Sequence, residues 1–229
     1  MQRFADDKTI RRNAQMGKVM LIGGLGVLLI GVAVSVLRPQ EQNYVIALAL
    51  GGMVTSQFGM AYTSRWGRRP RMDELLDDAL KGMDGRSSLF HYCLGANHVL
   101  VSPAGVFALV PRADRGEMRF ADGTWSLHQE KSGLLRRPST RKIRGIERDV
   151  KLEIDLLDKA LHKHLPEAKG VEPGAILVFV SSDVTLHVQS APFPAFHAKK
   201  AKDGLRKLER RPTLSAEQVA ALAQKLRVQ

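Results

Sequence analysis

Cysteine is nearly missing from this 229-residue chain. Cys93 stands alone, which excludes an internal disulfide and any zinc site built on cysteines, and fits a reducing compartment. It falls in a β-favouring run, so a buried, inert thiol is expected there. Aromatic residues make up only 6% and do not interleave with the basic stretches, which argues against a platform for stacking single-stranded bases. No GxxxxGK[ST] phosphate loop, HExxH zinc helix or GxSxG nucleophile turn occurs. Acidic residues are also in deficit, 23 against 35 Lys and Arg. The net charge of +12 limits the charge-driven partners to nucleic acid, anionic lipid headgroups or an acidic protein surface.

Charge is absent altogether from two long apolar runs, Val19 to Leu37 and Tyr44 to Tyr62. At 1.5 Å per residue, a helix of about 19 residues spans about 28 Å, close to the hydrocarbon thickness of a bilayer. The two runs therefore predict a transmembrane helical hairpin over residues 19–62, closed by the short loop Arg38 to Asn43. Basic residues flank it on both outer sides: Arg3, Lys8, Arg11, Arg12 and Lys18 before it, and Arg65, Arg68, Arg69 and Arg71 after it. The loop holds only Arg38 against Glu41. This asymmetry predicts a multi-pass protein of the cell membrane with both termini and the soluble part in the cytoplasm. Tyr44, Tyr62 and Trp66 lie where amphipathic rings favour the headgroup layer. Small residues at Gly51, Thr55 and Gly59, and at Gly31 and Ser35, offer close-approach faces to the partner helix or to a second copy.

Four segments follow: a basic N-terminus (1–18), the hairpin (19–62), a basic linker (63–71) and one α/β domain (72–229), long enough for its own core. Met72, Leu75, Leu76, Ala79, Leu80 and Met83 keep helical spacing until Gly82 and Gly85 stop the helix. Strands are expected at Leu89–Leu94, His98–Val101 and Val106–Val110, the last two joined by the turn Ser102–Pro103–Ala104–Gly105. A second hairpin joins Met118–Phe120 to Thr124–His128. Lys131 to Arg144 is polar, basic and interrupted by Pro138, and is expected to be a loop. Val150, Ile154, Leu157, Leu161 and Leu165 predict a long amphipathic helix that Pro166 ends. Ala175–Val180 is expected to be a covered strand with Thr185–Val188 beside it. Two helices close the chain, one over about Ala198 to Arg211 and one where Ser215 and Gln218 form a capping box and Leu214 staples onto Val219. The fold class is an α/β sandwich.

Chemistry-bearing residues are sparse. His162 and His164 sit two apart on a helix, and His91 and His98 have no carboxylate at metal-ligand spacing, so solvated or core histidines are expected. Asp73, Glu74, Asp77 and Asp78 crowd the first turns of a helix, where negative charge is favourable. Two basic stretches are candidate binding residues: Arg136, Arg137, Arg141, Lys142 and Arg144 in the loop, and Lys199, Lys200, Lys202, Arg206, Lys207, Arg210 and Arg211 on the first closing helix. Either could neutralise phosphates of nucleic acid or lipid headgroups.

Phe90-His91-Tyr92, the hairpin Asn97-His-Val-Leu-Val-Ser-Pro-Ala-Gly-Val-Phe-Ala-Leu109, Gly116, Trp125 and the late strand Ile176-Leu-Val-Phe-Val180 together resemble the nuclease-related domain (NERD) family. The resemblance covers about Asp73 to Leu226. It implies the restriction-endonuclease-like fold, in which an acid before the first hairpin strand and an acid-x-Lys at the end of the second hold Mg²⁺ and position water. Here those positions hold Asn97, Val110 and Arg112. Val110 cannot ligate a hard cation, and Arg112 stays protonated and cannot act as a base. Asp114 and Glu117 are the candidate substitutes, and Asp73 or Glu74 aligns loosely with an acid on the family's opening helix. The expectation is a membrane-anchored NERD-like domain without catalysis and without a cofactor, binding or scaffolding at the cytoplasmic face. Its partners would be the bilayer, nucleic acid or anionic headgroups, a membrane protein or further copies of itself. The alternatives are an accessory structural subunit of a membrane complex and a metal-dependent nuclease using Mg²⁺ or Mn²⁺ with displaced ligands.

Overall fold

The computed structural model describes residues 1–83, 85–130, 138–164, 171–209 and 214–227. The chain forms two compact units, one made of Asp6–Arg71 and the other of Met1–Ala5 with Met72–Gln229.

The first unit is an antiparallel pair of helices, α1 (Asp7–Leu37) and α2 (Gln42–Tyr62), continued by a π-helical turn over Thr63–Gly67. Both helices are long and apolar enough to cross a membrane. α1 begins twelve residues earlier than the apolar run, because Asp6 caps it: its carboxylate accepts the Thr9 backbone N–H at 2.9 Å and also the Thr9 hydroxyl. These bonds hold the Asp6 carboxyl below its ordinary range, the Thr9 side chain contributing most.

The buried positions of α1 are Ile10, Gly17, Gly24 and Gly31, and those facing them are Gly52, Gly59 and Trp66. All recur every seventh residue, the period of a left-handed helix pair. A Cβ on Gly17 would meet the Thr63 nitrogen at 2.8 Å, and one on Gly52 would meet Leu28 at 2.8 Å. Cβ atoms on Gly24 and Gly59 would collide with Ser56 and with the backbone of Leu21. The close-approach face is thus the seven-residue series; Gly51, expected to serve, faces open space. Trp66 is buried rather than turned outward.

The second unit is a mixed α/β fold with two mixed sheets. Its first strand, β1 (Gln2–Ala5), comes from the segment ahead of the helix pair and lies parallel to β2 (Ser88–Leu94) at the edge of a large sheet. After α3 (Met72–Leu80), stopped by Gly82 at φ +79°, β2 runs antiparallel to β3 (Ala96–Ser102), and β3 to β4 (Gly105–Arg112). Then come β5 (Gly116–Ala121), β6 (Thr124–Glu130), β7 (Pro138–Lys142) and α4 (Ile146–His164). β8 (Gly174–Phe179), β9 (Val184–Val188), β10 (Ala195–His197), α5 (Ala198–Glu209) and α6 (Ala216–Arg227) complete the chain. The large sheet has the order β1-β2-β3-β4-β8-β10 and the small one β7-β6-β5-β9.

Alternation along the large sheet separates its two faces. Leu89, Leu100, Leu109, Ile176 and Val178 pack under α3 and α5. Val99, Val101 and Ala108 pack against α4 and α6 on the other side. On that same side Val110, Ala175, Leu177 and Phe179 meet Trp125, Met118 and Phe120 of the small sheet and Ile146 and Val150 of α4.

Two expectations are corrected. Residues 138–142 form an edge strand rather than a loop, since Pro138 opens it at a position where its missing N–H disturbs least and Ser139–Thr140 pair with Gln129–His128. β9 does not lie beside β8; it pairs in parallel with β5, and β8 instead lies between β4 and β10. The buried–exposed alternation of β9 suits the small sheet, which has one open face. The expected capping box is present: Gln218 N–H donates to Ser215 Oγ at 3.2 Å and Ser215 N–H to Gln218 Oε1 at 2.8 Å, with Leu214 and Val219 buried in one cluster. Pro166 and Leu165 lie outside the described residues.

Candidate functional site

The β3–β4 register, Val99 opposite Ala108, brings Asn97 across from Val110, with Arg112 one alternation further along the same face. α4 lies over this end of the sheet and supplies Asp149 and, one turn on, Glu153. Glu153 is buried, and both its oxygens are taken by Asn97: Oε2 accepts the backbone N–H at 2.9 Å and Oε1 the side-chain amide. Arg112 clamps Asp114, Nε donating to Oδ2 at 2.9 Å and Nη2 to Oδ1 at 3.4 Å, and its Nη1 lies 3.5 Å from Asp149. Val110 is part of the apolar core.

Val110, Asn97 and Arg112 are therefore, in turn, a core side chain, a carboxamide gripped by a carboxylate, and a cation with acids on two sides. A guanidinium remains charged, so Arg112 pairs with its carboxylates and cannot itself take a proton from water. Asp149 and Glu153 were not expected from the sequence. A signal was there: Glu153 interrupts the apolar stripe between Val150 and Leu157, and a carboxylate on a buried face needs a partner.

Glu117, the other proposed substitute, has different partners. It lies on the open face of the small sheet, opposite in direction to Met118 and Phe120, and is held by Arg119 at 2.6 Å and by His187 at 3.1 Å. The hydrogen bond from Arg119 keeps its carboxyl below the ordinary range; slight desolvation opposes this, and the charges of Arg119, His187 and His128 add to it. Among the described residues no group of three or more His, Cys, Asp or Glu is arranged to hold a metal ion.

The basic stretches separate. Arg141, Lys142 and Arg144 are exposed on and after β7, the outer edge of the small sheet, whereas Lys199, Lys200, Arg206 and Lys207 are exposed on α5, with Lys202 half-buried. α5 and the small sheet pack on opposite faces of the large sheet. Among the described residues the two stretches therefore do not share a face. Arg136, Arg137, Arg210 and Arg211 lie outside the described residues. A cleft of about 410 Å³ between β1, β2 and α6 is lined by Phe4, Ser88, Val219 and Ala223 among others, and by none of the candidate residues.

His91 and His98 are buried under α3 with their Nδ1 atoms 2.8 Å apart, and His91 Nε2 lies 3.1 Å from Asp77 Oδ1. They are core histidines, as expected, and the carboxylate beside His91 comes from another element rather than from neighbouring sequence at metal-ligand spacing. Asp77 Oδ2 is 2.6 Å from Arg3 Nε, and the fully buried Asp73 lies 3.6 Å from Arg3 Nη2. Asp73 therefore lies on the side of the sheet opposite Asn97. Tyr92, between the histidines at a β-bulge, adopts φ +60° and sets its ring edge-on to His98. Cys93 is half-buried rather than buried, and its thiol donates to the His91 carbonyl. His162 is solvated, as expected.

Comparisons with known proteins returned no match, whether against family models, curated proteins or solved structures.

Proposed function

We infer that this chain is a membrane-anchored NERD-like domain, of restriction-endonuclease-like architecture, that has lost hydrolysis and works as a binding or scaffolding module at the cytoplasmic face. The observation that carries this reading is the Arg112 clamp: where the resemblance asks for a lysine beside metal-binding acids, an arginine is fixed between Asp114 and Asp149. Asp114 and Glu117, the residues best able to replace the lost ligands, are each neutralised by a different arginine.

Two observations support the membrane part. The helix pair buries glycine and exposes Leu, Ile and Val, as a helix pair in lipid does. That β1 precedes the pair and shares a sheet with strands that follow it supports a topology with both ends of the pair on one side of a bilayer. The basic flanks Arg11, Arg12, Lys18, Arg65, Arg68 and Arg69 favour the cytoplasm as that side. For the partner, the α5 face of Lys199, Lys200, Arg206 and Lys207 is the better candidate, since it gathers four exposed cations on one helix.

The test uses the whole chain in neutral-lipid nanodiscs, because β1 belongs to the α/β unit and a truncation after the helix pair would remove it. Labelled DNA and RNA are added with and without Mg²⁺ or Mn²⁺ at two salt concentrations, and native and denaturing gels are read together. A salt-sensitive shift without cleavage is expected, abolished by reversing the α5 charges. Metal-dependent cleavage overturns the reading and directs attention to Asp149 and Glu153. No shift and no cleavage leaves the accessory structural subunit as the account.

A further inference from the structure

We propose that the end of the helix pair at which α1 begins is a docking collar for anionic phospholipid headgroups, formed by Lys8, Arg11, Arg12 and Lys18 of α1 with Arg68 after α2. This rests on the membrane reading of the pair and adds a choice of lipid to it. Lys8, Arg11, Gln15 and Lys18 follow one another in steps of three and four, and all are exposed. The same steps continue through Ile22, Leu25, Leu29, Val32 and Val36, which are exposed as well. All nine lie on one stripe of α1, apart from the buried series of Ile10, Gly17, Gly24 and Gly31. That stripe changes character once, between Lys18 and Ile22. An apolar stripe is stable in hydrocarbon and a cationic one at the headgroups, so the change marks the level at which the two layers meet.

These cations stand on packed helix, because Ile10 is buried and α1 packs against the π-helical turn that continues α2. Both halves of the pair reach the same level: a Cβ on Gly17 would meet Thr63, so Lys18 is level with the end of α2, and the exposed Arg68 follows soon after. At 1.5 Å per residue, Arg11 and Arg12 lie about 10 Å beyond Lys18, within a Debye length of the headgroup phosphates. Trp66 is turned inward, with the Arg65 guanidinium 5.2 Å from the centre of its ring, so a cation rather than the ring takes the outer place at this level. The charge is left uncompensated. Among the described residues no carboxylate lies within ion-pair distance of Lys8, Arg11, Arg12, Lys18 or Arg68, and Asp6 is engaged in capping Thr9. Lys8, Arg11 and Arg12 also stand at the positive end of the α1 dipole, with Lys8 three and four residues from the two arginines. Both placements cost a helix stability, and a layer of net negative charge offsets both.

The test puts the full chain into liposomes of phosphatidylcholine alone and of phosphatidylcholine with phosphatidylglycerol. Flotation is read first, then the preference of the protein for spin-labelled phosphatidylglycerol over spin-labelled phosphatidylcholine. Flotation with both lipids is expected, with the anionic label enriched at the protein about threefold or more at low salt and less at about 0.5 M salt. The triple variant Arg11→Gln, Arg12→Gln, Lys18→Gln is expected to float and to lose most of that preference, whereas Arg11→Lys with Arg12→Lys keeps it. A chain that floats with neither lipid overturns the membrane reading and the collar together. Flotation without preference overturns the collar alone. A preference that survives in the triple variant also overturns it and moves the lipid contact to other cations, the α5 face first. No preference, combined with an RNA gel shift that the triple variant loses, overturns the collar and gives the stripe to nucleic acid. If the triple variant does not fold, hydrogen exchange of the natural chain decides: amides of residues 8–18 are expected to gain protection in the anionic bilayer, and equal protection in both bilayers overturns the collar.

Discussion

The two units of this chain are packed in opposite senses. In the α/β unit the interior is mostly Leu, Ile, Val and Phe, held in three clusters, with Asp73 and Glu153 the buried acids among the described residues. In the helix pair the interior is Gly17, Gly24, Gly31, Gly52 and Gly59, while Leu29, Val36, Ile46 and Phe58 face out. One unit coheres because side chains leave water; in the other, missing side chains let backbones touch, an arrangement that fits the proposed membrane setting. The same residue types take opposite places in the two units.

That contrast can be broken deliberately. Leu157, fully buried on the inner face of α4, is expected to cost about 2–5 kcal/mol on replacement by alanine, read by denaturant unfolding of the α/β unit. The same change at Leu29, 70% exposed on α1, is expected to leave the helix pair intact in detergent, and a comparable loss there would undo the contrast. Within the helix pair the sensitive residue is glycine. Gly59→Leu, aimed at the Leu21 backbone, is expected to separate the helices at about 1–3 kcal/mol or more, seen as loss of α1–α2 cysteine cross-linking, while Gly51→Leu keeps the cross-link. A smaller effect is expected in the α/β unit at Ser215→Ala, which removes one side of the capping box for about 1 kcal/mol, measured as faster exchange at the start of α6. The smallest concerns Glu117. Its carboxyl is held below the ordinary range chiefly by Arg119, so the contact is made above that range and lost as pH falls through the lowered value. Arg119→Ala is expected to move the Glu117 titration upward in an NMR pH series, and an unmoved curve would show that another group holds it.

Much of this fold was legible because local pattern and final structure agree. Both apolar runs, the hairpins around Pro103–Gly105 and Asp122–Gly123, and the Ser215–Gln218 cap are decided by neighbours in sequence. What was missed is decided at a distance. Gln2–Ala5 carries no strand signal of its own and becomes a strand only because the edge of β2 is open to it. The Asp77–His91–His98 contact needs three elements to meet before it exists, and the Glu153–Asn97 grip needs α4 laid over β3. The expectation at Asn97, Val110 and Arg112 concerned only what those residues are; that Arg112 is clamped by Asp149 is a fact of packing.

The position of β1 also dictates an order of manufacture. Residues 2–5 leave the ribosome before α1 and α2, yet their partner Ser88–His91 is synthesised only after the whole apolar segment. The leading strand must wait unpaired while α1 and α2 find each other, and the large sheet is completed at that edge only afterwards. A substitution that weakens residues 2–5 would therefore act at a sheet margin that closes late, and slow closure there, rather than instability of the finished domain, is where it would first be felt.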